Sequence, residues 1–438
     1  MASTPSNHSA GTSPQAAPAP DWYRAGLGHI WRPYAQMKTI RPPLPTVGTH
    51  GTRITLADGR ELIDGIASWW TACHGYNHPH IRRAVERQLA AMPHVMFGGL
   101  VHEPALTLAR RLAALLPGDL EHVFFSESGS VAVEVAMKMA VQFWLNRGAR
   151  GRSKFLAFTG GYHGDTTGAM AVCDPGDGMH RLFHDLLPRH NIVDLPQDEA
   201  TIAAFERSLD EHAHELAGII VEPLVQGAGG MRFHDAAVLR RLRDAADRRG
   251  LLLILDEIFT GFGRTGAMFA CAAASVVPDI VTLGKALTGG TLPLAATVAR
   301  AHVFDAFWSD DPGHALMHGP TYMANPLACA AANASLDLFE TEPRLAQVAA
   351  IAQALRDGLE PCRGLPGVKD TRVTGAIGVV ELHRIDDVDG MRARFADKGV
   401  FIRPFGNIVY LTPSFTITAD DLVVLTNAVV GLLTARSS

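Results

Sequence analysis

The sequence predicts an α/β protein, with a large mainly parallel-sheet domain plus a smaller α/β domain built from both chain ends. Three observations carry this. From about Pro79 onward short apolar runs alternate with long helical periods, the pattern of strand, crossover helix and next parallel strand. The chain has 438 residues, 47% hydrophobic and 19% charged, enough for two or three compact units at roughly 150 residues each. No segment recurs at a fixed period, which excludes a solenoid.

Residues 1–20 are rich in Ser, Pro and Ala, with neither a cationic start nor an apolar run. They read as a flexible tail without a targeting signal. Residues 21–78 are assigned to the smaller domain, where TRITLADGRELIDG alternates like a hairpin turning at Ala57-Asp58-Gly59. The large domain is assigned to 79–325. Its candidate strands are 122–125, 155–158, 218–221, 251–255 and 280–283, and helices over 130–147 and 235–249 lie among their connections. Residues 326–438 return to the smaller domain through alanine-rich helices, the run VTGAIGVVEL, a strand at 399–404 and a closing helix from Ala419.

Composition narrows the function. With 39 Lys and Arg against 44 Asp and Glu, the net charge is −5, so the cationic excess that grips a phosphate backbone is missing and nucleic acid is not expected as a partner. Five scattered cysteines form no C-x-x-C pair, which fits a reducing cytoplasm. Residues 315–336 lack Asp, Glu, Lys and Arg but carry His318, Pro320, Asn325 and Pro326, so no membrane span is expected. His74, His78 and His80 have no Cys or carboxylate partner at ligand spacing, so no metal site is expected either.

GFGRTG at 261–266 matches a dinucleotide fingerprint, but Asp256-Glu257 separate it from its strand and 281–290 hold no carboxylate, so that reading fails. Lys285 likewise lacks the glycine spacing of a phosphate-binding P-loop. Ligand sites in α/β sheets gather at strand ends, and three ends carry suggestive residues. One run closes in Asp256, a second in Gly284-Lys285, and the third in Ser126-Glu127-Ser128-Gly129-Ser130 at a helix start. Taken singly, Lys285 is equally a solvated loop lysine, Asp256 a helix cap and the serines ordinary N-caps. Taken together, a desolvated lysine for a Schiff base, an acid for a buried cation and a helix start for an anion describe a pyridoxal 5′-phosphate site.

The motifs WRPYAQMKT (31–39), SWWTACHGYNHP (68–79), HVMFGGLVHEPA (94–105), SESGSVAVEVAMKMA (126–140), GGYHGDTTGAM (160–170), VEPLVQGAGGMRFHD (221–235), LDEIFTGFGRTG (255–266), GKALTGG (284–290), HGPTYMANPLA and FIRPFGN (401–407) go further. From about Ile30 to its end the chain resembles the class III, fold type I, pyridoxal-phosphate aminotransferases. Trp69-Trp70, HVMFGG and HGPTYMANPLA resemble the branch that aminates 8-amino-7-oxononanoate from S-adenosylmethionine in biotin synthesis, by alternating pyridoxal and pyridoxamine forms.

The resemblance implies roles. Lys285 would carry the cofactor and shuttle the substrate proton, and Asp256 would pair with the ring nitrogen. Gly129 and Ser130 would bind its phosphate, completed by Pro320 and Thr321 from the partner subunit of an obligatory homodimer. Tyr162 would cover the ring, with Glu222 and Gln226 near its oxygen. Arg403 would bind the carboxylate of each substrate in turn, Trp69 and Trp70 would wall the acceptor's alkyl chain, Tyr34 would meet both substrates, and Gly319 would leave them room. Without the resemblance, Arg403 is equally a surface arginine and the tryptophans core packing. The family's W-H-P-Y is Trp31-Arg32-Pro33-Tyr34 here, followed by Ala35 in place of a hydroxyl residue. Lysine as donor, and an ω-aminotransferase acting on diamines or ornithine-like substrates, are the open alternatives.

Overall fold

The computed structural model describes residues 19–176 and 178–437, so the tail expected over 1–20 lies outside the described residues except for Ala19 and Pro20. The largest sheet has seven strands, in the order Leu120–Ser126, Ala295–Arg300, Ile280–Leu283, Leu252–Asp256, Leu216–Val221, Lys154–Phe158 and Asn191–Val193. Only Ala295–Arg300 runs antiparallel to its neighbours. All five expected strands lie in this sheet. The inner ones, LAGIIV, LLILD and IVTL, are buried at every residue, as befits a parallel sheet covered on both faces. Their apolar runs therefore continue without alternation.

The covering helices have legible ends. Gly129–Asn146 packs across Ile280–Leu283 and Ala295–Arg300 and is capped by the Ser128 hydroxyl, which accepts from the Val131 N–H. Ala236–Arg249 stops at Gly250, in left-handed backbone at φ +61°. There the Leu251 N–H reaches the Ala246 carbonyl and the Gly250 N–H that of Asp247, the paired bonds of a Schellman stop.

The expected hairpin pairs Arg53–Leu56 with Glu61–Asp64, with Gly59 at φ +87° in its turn. Val400–Phe401 adds to Glu61–Asp64 in parallel, so the two ends of the chain share one sheet. The strand expected over 399–404 shrinks to these two residues. Its partner ends at Asp64, and Pro404 has no N–H to extend the ladder. A second antiparallel sheet, Val368–Thr374, Ile377–Leu382 and Ile408–Leu411, backs onto Arg344–Leu359, which packs in turn on the final helix Ala419–Ser437.

GFGRTG forms a turn and ties the large sheet's domain to the C-terminal segment. Fully buried Arg264 donates to the carbonyls of Ala376 and Pro413, at 3.2 and 2.8 Å. Among the described residues no helix is long and apolar enough to cross a membrane, and no cluster of three or more His, Cys, Asp or Glu could hold a metal.

Candidate active site

Adjacent strand ends put three ionisable side chains in one place. Asp256 closes Leu252–Asp256, Lys285 follows Ile280–Leu283 by one glycine, and Glu222 follows Leu216–Val221. Asp256 is buried. One of its oxygens is 2.8 Å from His163 Nδ1, and the other accepts from the Ile258 N–H at 3.1 Å and the Thr282 hydroxyl at 3.2 Å. Burial pulls His163 toward its neutral form, but the hydrogen bond and charge of Asp256, helped by Glu222, hold it above the ordinary histidine value. Glu222 accepts from the backbone N–H groups of Tyr162 and Gly227, each at 2.9 Å. Burial pushes its carboxyl up to about 7, with His163 opposing the rise and Asp256 adding to it.

Lys285 sits in left-handed backbone at φ +48°, a strained conformation for a side-chain-bearing residue and one that collects at functional sites. Its amine lies 4.8 Å from the Trp70 ring centre and 6.0 Å from that of Phe259. Burial lowers its pKa, and the charges of Asp256, Glu222 and Asp165 only partly oppose this. The neutral amine, the form that attacks a carbonyl, is favoured accordingly.

The helix beginning at Gly129 supplies N–H groups at its open end. A Cβ at Gly129 would stand 2.9 Å from Ile258, whose side chain also lies 3.4 Å from the Cβ position of Gly284. One isoleucine thus packs against both the helix start and the approach to Lys285; a side chain at Gly129 would displace it, whereas one at Gly284 would meet it at ordinary contact distance. The Ser130 hydroxyl accepts from the Asp165 N–H at 3.0 Å.

Opposite this deep wall lies an aromatic one. The Asp165 carboxylate accepts from the Tyr34 hydroxyl at 2.5 Å and the Tyr162 hydroxyl at 3.0 Å, and His180 Nε2 lies 3.0 Å away. The Tyr162 ring stacks on His180 at 5.7 Å. Burial, then Asp165, pushes the Tyr34 hydroxyl up to about 12, and burial raises Tyr162 as well. Residues 67–70, Ala-Ser-Trp-Trp, have φ of +46°, +46°, +53° and +75°. Each such residue costs roughly 1–2 kcal/mol. Trp70 leaves this left-handed turn to pack 4.2 Å from Phe259 beneath the Lys285 amine, while Trp69 points outward, edge-on to Tyr34 at 6.2 Å. The Arg403 guanidinium lies 5.2 Å over the Trp69 ring and makes no hydrogen bond or ion pair with any described residue. Burial, then nearby Arg392, lowers its pKa.

Lys285, Asp256, Glu222, Tyr162, Tyr34, Trp69, Trp70 and Arg403 are thus linked by contacts and charges into one cluster, near the helix start at Gly129 and Ser130. Gln226 is buried, and its amide donates to the Thr159 carbonyl at 3.0 Å, below the Gly160-Gly161 turn. Arg32, the departure noted before Tyr34, donates to the Arg41 carbonyl at 2.8 Å. Gly319, Pro320 and Thr321 stand apart. The residues just before them are tied to Lys138, which donates to the Met317 carbonyl at 2.7 Å, about 13 Å along the helix from Gly129 at 1.5 Å per residue. A Cβ at Gly319 would meet nothing within 4 Å, so nothing within one chain demands glycine there.

Sequence reasoning missed His163, Asp165 and His180. The first two follow the strand Lys154–Phe158, so applying the strand-end rule once more, to Thr-Gly-Gly-Tyr-His-Gly-Asp, would have found them. A lysine amine bonded to no described side chain, a buried oriented carboxylate to accept from a ring N–H, and a helix start with N–H groups at Gly129 and Ser130 are the groups that pyridoxal phosphate requires, and the residues present fit it.

The class-III aminotransferase family profile matches residues 35–433. The adenosylmethionine-8-amino-7-oxononanoate aminotransferase of Mycobacterium leprae is 48% identical over 413 residues, covering 92% of this chain and 94% of the relative. The crystal structure of the same-named enzyme from Methanocaldococcus jannaschii superposes with a TM-score of 0.89 at 31% identity, covering 94% and 98% of the two chains. An amine transaminase from an uncultivated Pseudomonas species, solved in its PLP-bound form, gives 0.86 at 33% identity, covering 94% and 99%. The chain belongs to the class-III aminotransferases.

Proposed function

We propose that this aminotransferase carries the amino group of S-adenosylmethionine to 8-amino-7-oxononanoate, yielding 7,8-diaminononanoate for biotin synthesis, in two half-reactions at one site. Pyridoxal phosphate, when bound, supplies an aldehyde that takes up amino groups and a ring that accepts the electrons freed at the substrate carbon. Lys285 holds that aldehyde, and its Nζ then takes and returns the proton of the reacting carbon. Asp256, oriented by His163, holds the proton on the ring nitrogen. The N–H groups of Gly129 and Ser130 bind the phosphate, Tyr162 covers the ring, and Glu222 and Gln226 keep the Tyr162 turn in place from below.

Both substrates carry a carboxylate, and the observation that carries the substrate reading is Arg403, whose guanidinium lies over Trp69 with no ion-pair partner among the described residues. Its fork suits each carboxylate in turn, with Trp69 and Trp70 against the acceptor's alkyl chain and Tyr34 against either substrate. The homodimer is supported by a surface patch. Met317 and Tyr322, either side of Gly319, Pro320 and Thr321 in sequence, are exposed, as are Met96 and Val101, and His94 lies against Tyr322 at 4.5 Å. Large apolar patches of this kind mark protein interfaces. A second copy seated there receives Pro320 and Thr321 at its phosphate site and Gly319 beside its substrate.

The test is spectral. S-adenosylmethionine alone should bleach the yellow of the purified protein, and 8-amino-7-oxononanoate should restore it. Bleaching by lysine or a diamine, and not by S-adenosylmethionine, would overturn the donor assignment.

A further inference from the structure

The left-handed turn that carries Trp69 and Trp70 contains neither glycine nor asparagine, so something outside it must hold it. Asp64, the last residue of Glu61–Asp64, is only 2% exposed. Its carboxylate accepts from the Ile66 N–H at 2.8 Å, the Ser68 N–H at 2.9 Å and the Tyr76 hydroxyl at 2.5 Å. The Tyr76 hydroxyl also meets the Ser68 hydroxyl, and the Tyr76 backbone exchanges hydrogen bonds with Gly51, at 2.6 and 3.1 Å. Asp64 forms no ion pair with any described residue, and these donors are its hydrogen-bond partners. Three of its neighbours are thereby clamped onto one buried carboxylate, Ile66 just before the turn and Ser68 within it among them.

We infer that Asp64 and Tyr76 are positioning residues for substrate recognition. They strap residues 67–70 in left-handed form, so that Trp69 lies beneath Arg403 while Trp70 lies beneath the Lys285 amine. Neither residue has a hydrogen bond to Lys285 or Arg403, and their effect runs through the two tryptophans. The inference rests on the reading that Trp69 and Arg403 receive the substrate carboxylates.

Tyr76→Phe removes the strap's hydroxyl and keeps its ring. The experiment measures KM for both substrates, kcat, and the calorimetric Kd for nonanoate, an unreactive carboxylate resembling the acceptor, with Trp69 intact and in a Trp69→Ala background. With Trp69 intact, KM and Kd should rise about three- to tenfold, the size of coupling between contacting residues, with kcat little changed. In the Trp69→Ala background no further rise is expected. A rise by the same factor in both backgrounds, or in neither, overturns the inference. If Tyr76→Phe does not fold, Ser68→Ala removes the neighbouring bond and is read in the same two backgrounds. An unsubstituted protein that binds nonanoate but turns over neither substrate refutes the substrate reading, and the nonanoate comparison still decides the strap.

Discussion

The two walls of the cleft are built on different principles. Around Lys285 the side chains sit on the ends of buried parallel strands. Asp256 and Glu222 are 4% exposed each, and every oxygen they carry is bonded. Around Arg403 the side chains sit on loops and a strained turn. Tyr34 is 52% and Trp69 39% exposed, and the Arg403 guanidinium over Trp69 has no ion-pair partner among the described residues. The difference parallels the two duties proposed for these walls. Reaction chemistry needs fixed geometry, which a sheet supplies, whereas substrate choice is carried by loops that can vary without disturbing the core.

The comparison is broken most severely from the deep wall. Lys285→Ala should abolish turnover, and borohydride should no longer fix the cofactor to the chain; a variant retaining either would remove Lys285 from the chemistry. Asp256→Asn should follow, lowering kcat by about 10²- to 10⁴-fold, the range of a positioned proton-holding group, with KM for the carboxylate substrates nearly unchanged. A loss mainly in KM would mean that the two walls are not separate in duty.

The smallest expected effect concerns pH. Burial raises the Glu222 carboxyl from 4.5 to about 7, so between those values the folded chain holds a proton that the unfolded chain has released. Its contribution to stability is full below about 4.5 and is lost as pH rises toward 7. Glu222→Gln should flatten that part of the stability profile, measured by denaturant unfolding across the window. An unchanged slope would place the titration elsewhere.

Much of the deep wall was legible in the sequence. Continuous apolar runs announce buried parallel strands, and Asp256, Lys285 and Gly129 stand directly at their ends. His163 was not legible, because its partnership with Asp256 depends on strands lying two places apart in the sheet, across Leu216–Val221, and linear spacing carries no such information. The outer wall was readable only through family resemblance. Ala-Ser-Trp-Trp gives no local sign of left-handed backbone, since the cause lies in Asp64 before it and Tyr76 after it. The roles proposed for Gly319, Pro320 and Thr321 call on a second copy, so neither the single sequence nor the single chain accounts for them.

The central claim is that one guanidinium serves both carboxylates. Arg403→Ala, with each half-reaction followed separately in the visible spectrum, tests it most directly. Removing a charge-assisted pair of about 1.5–3 kcal/mol should weaken S-adenosylmethionine and 8-amino-7-oxononanoate alike, by roughly ten- to 150-fold, while the yellow of the resting protein persists. Weakening confined to one substrate would contradict the account, because the other carboxylate would then be held elsewhere.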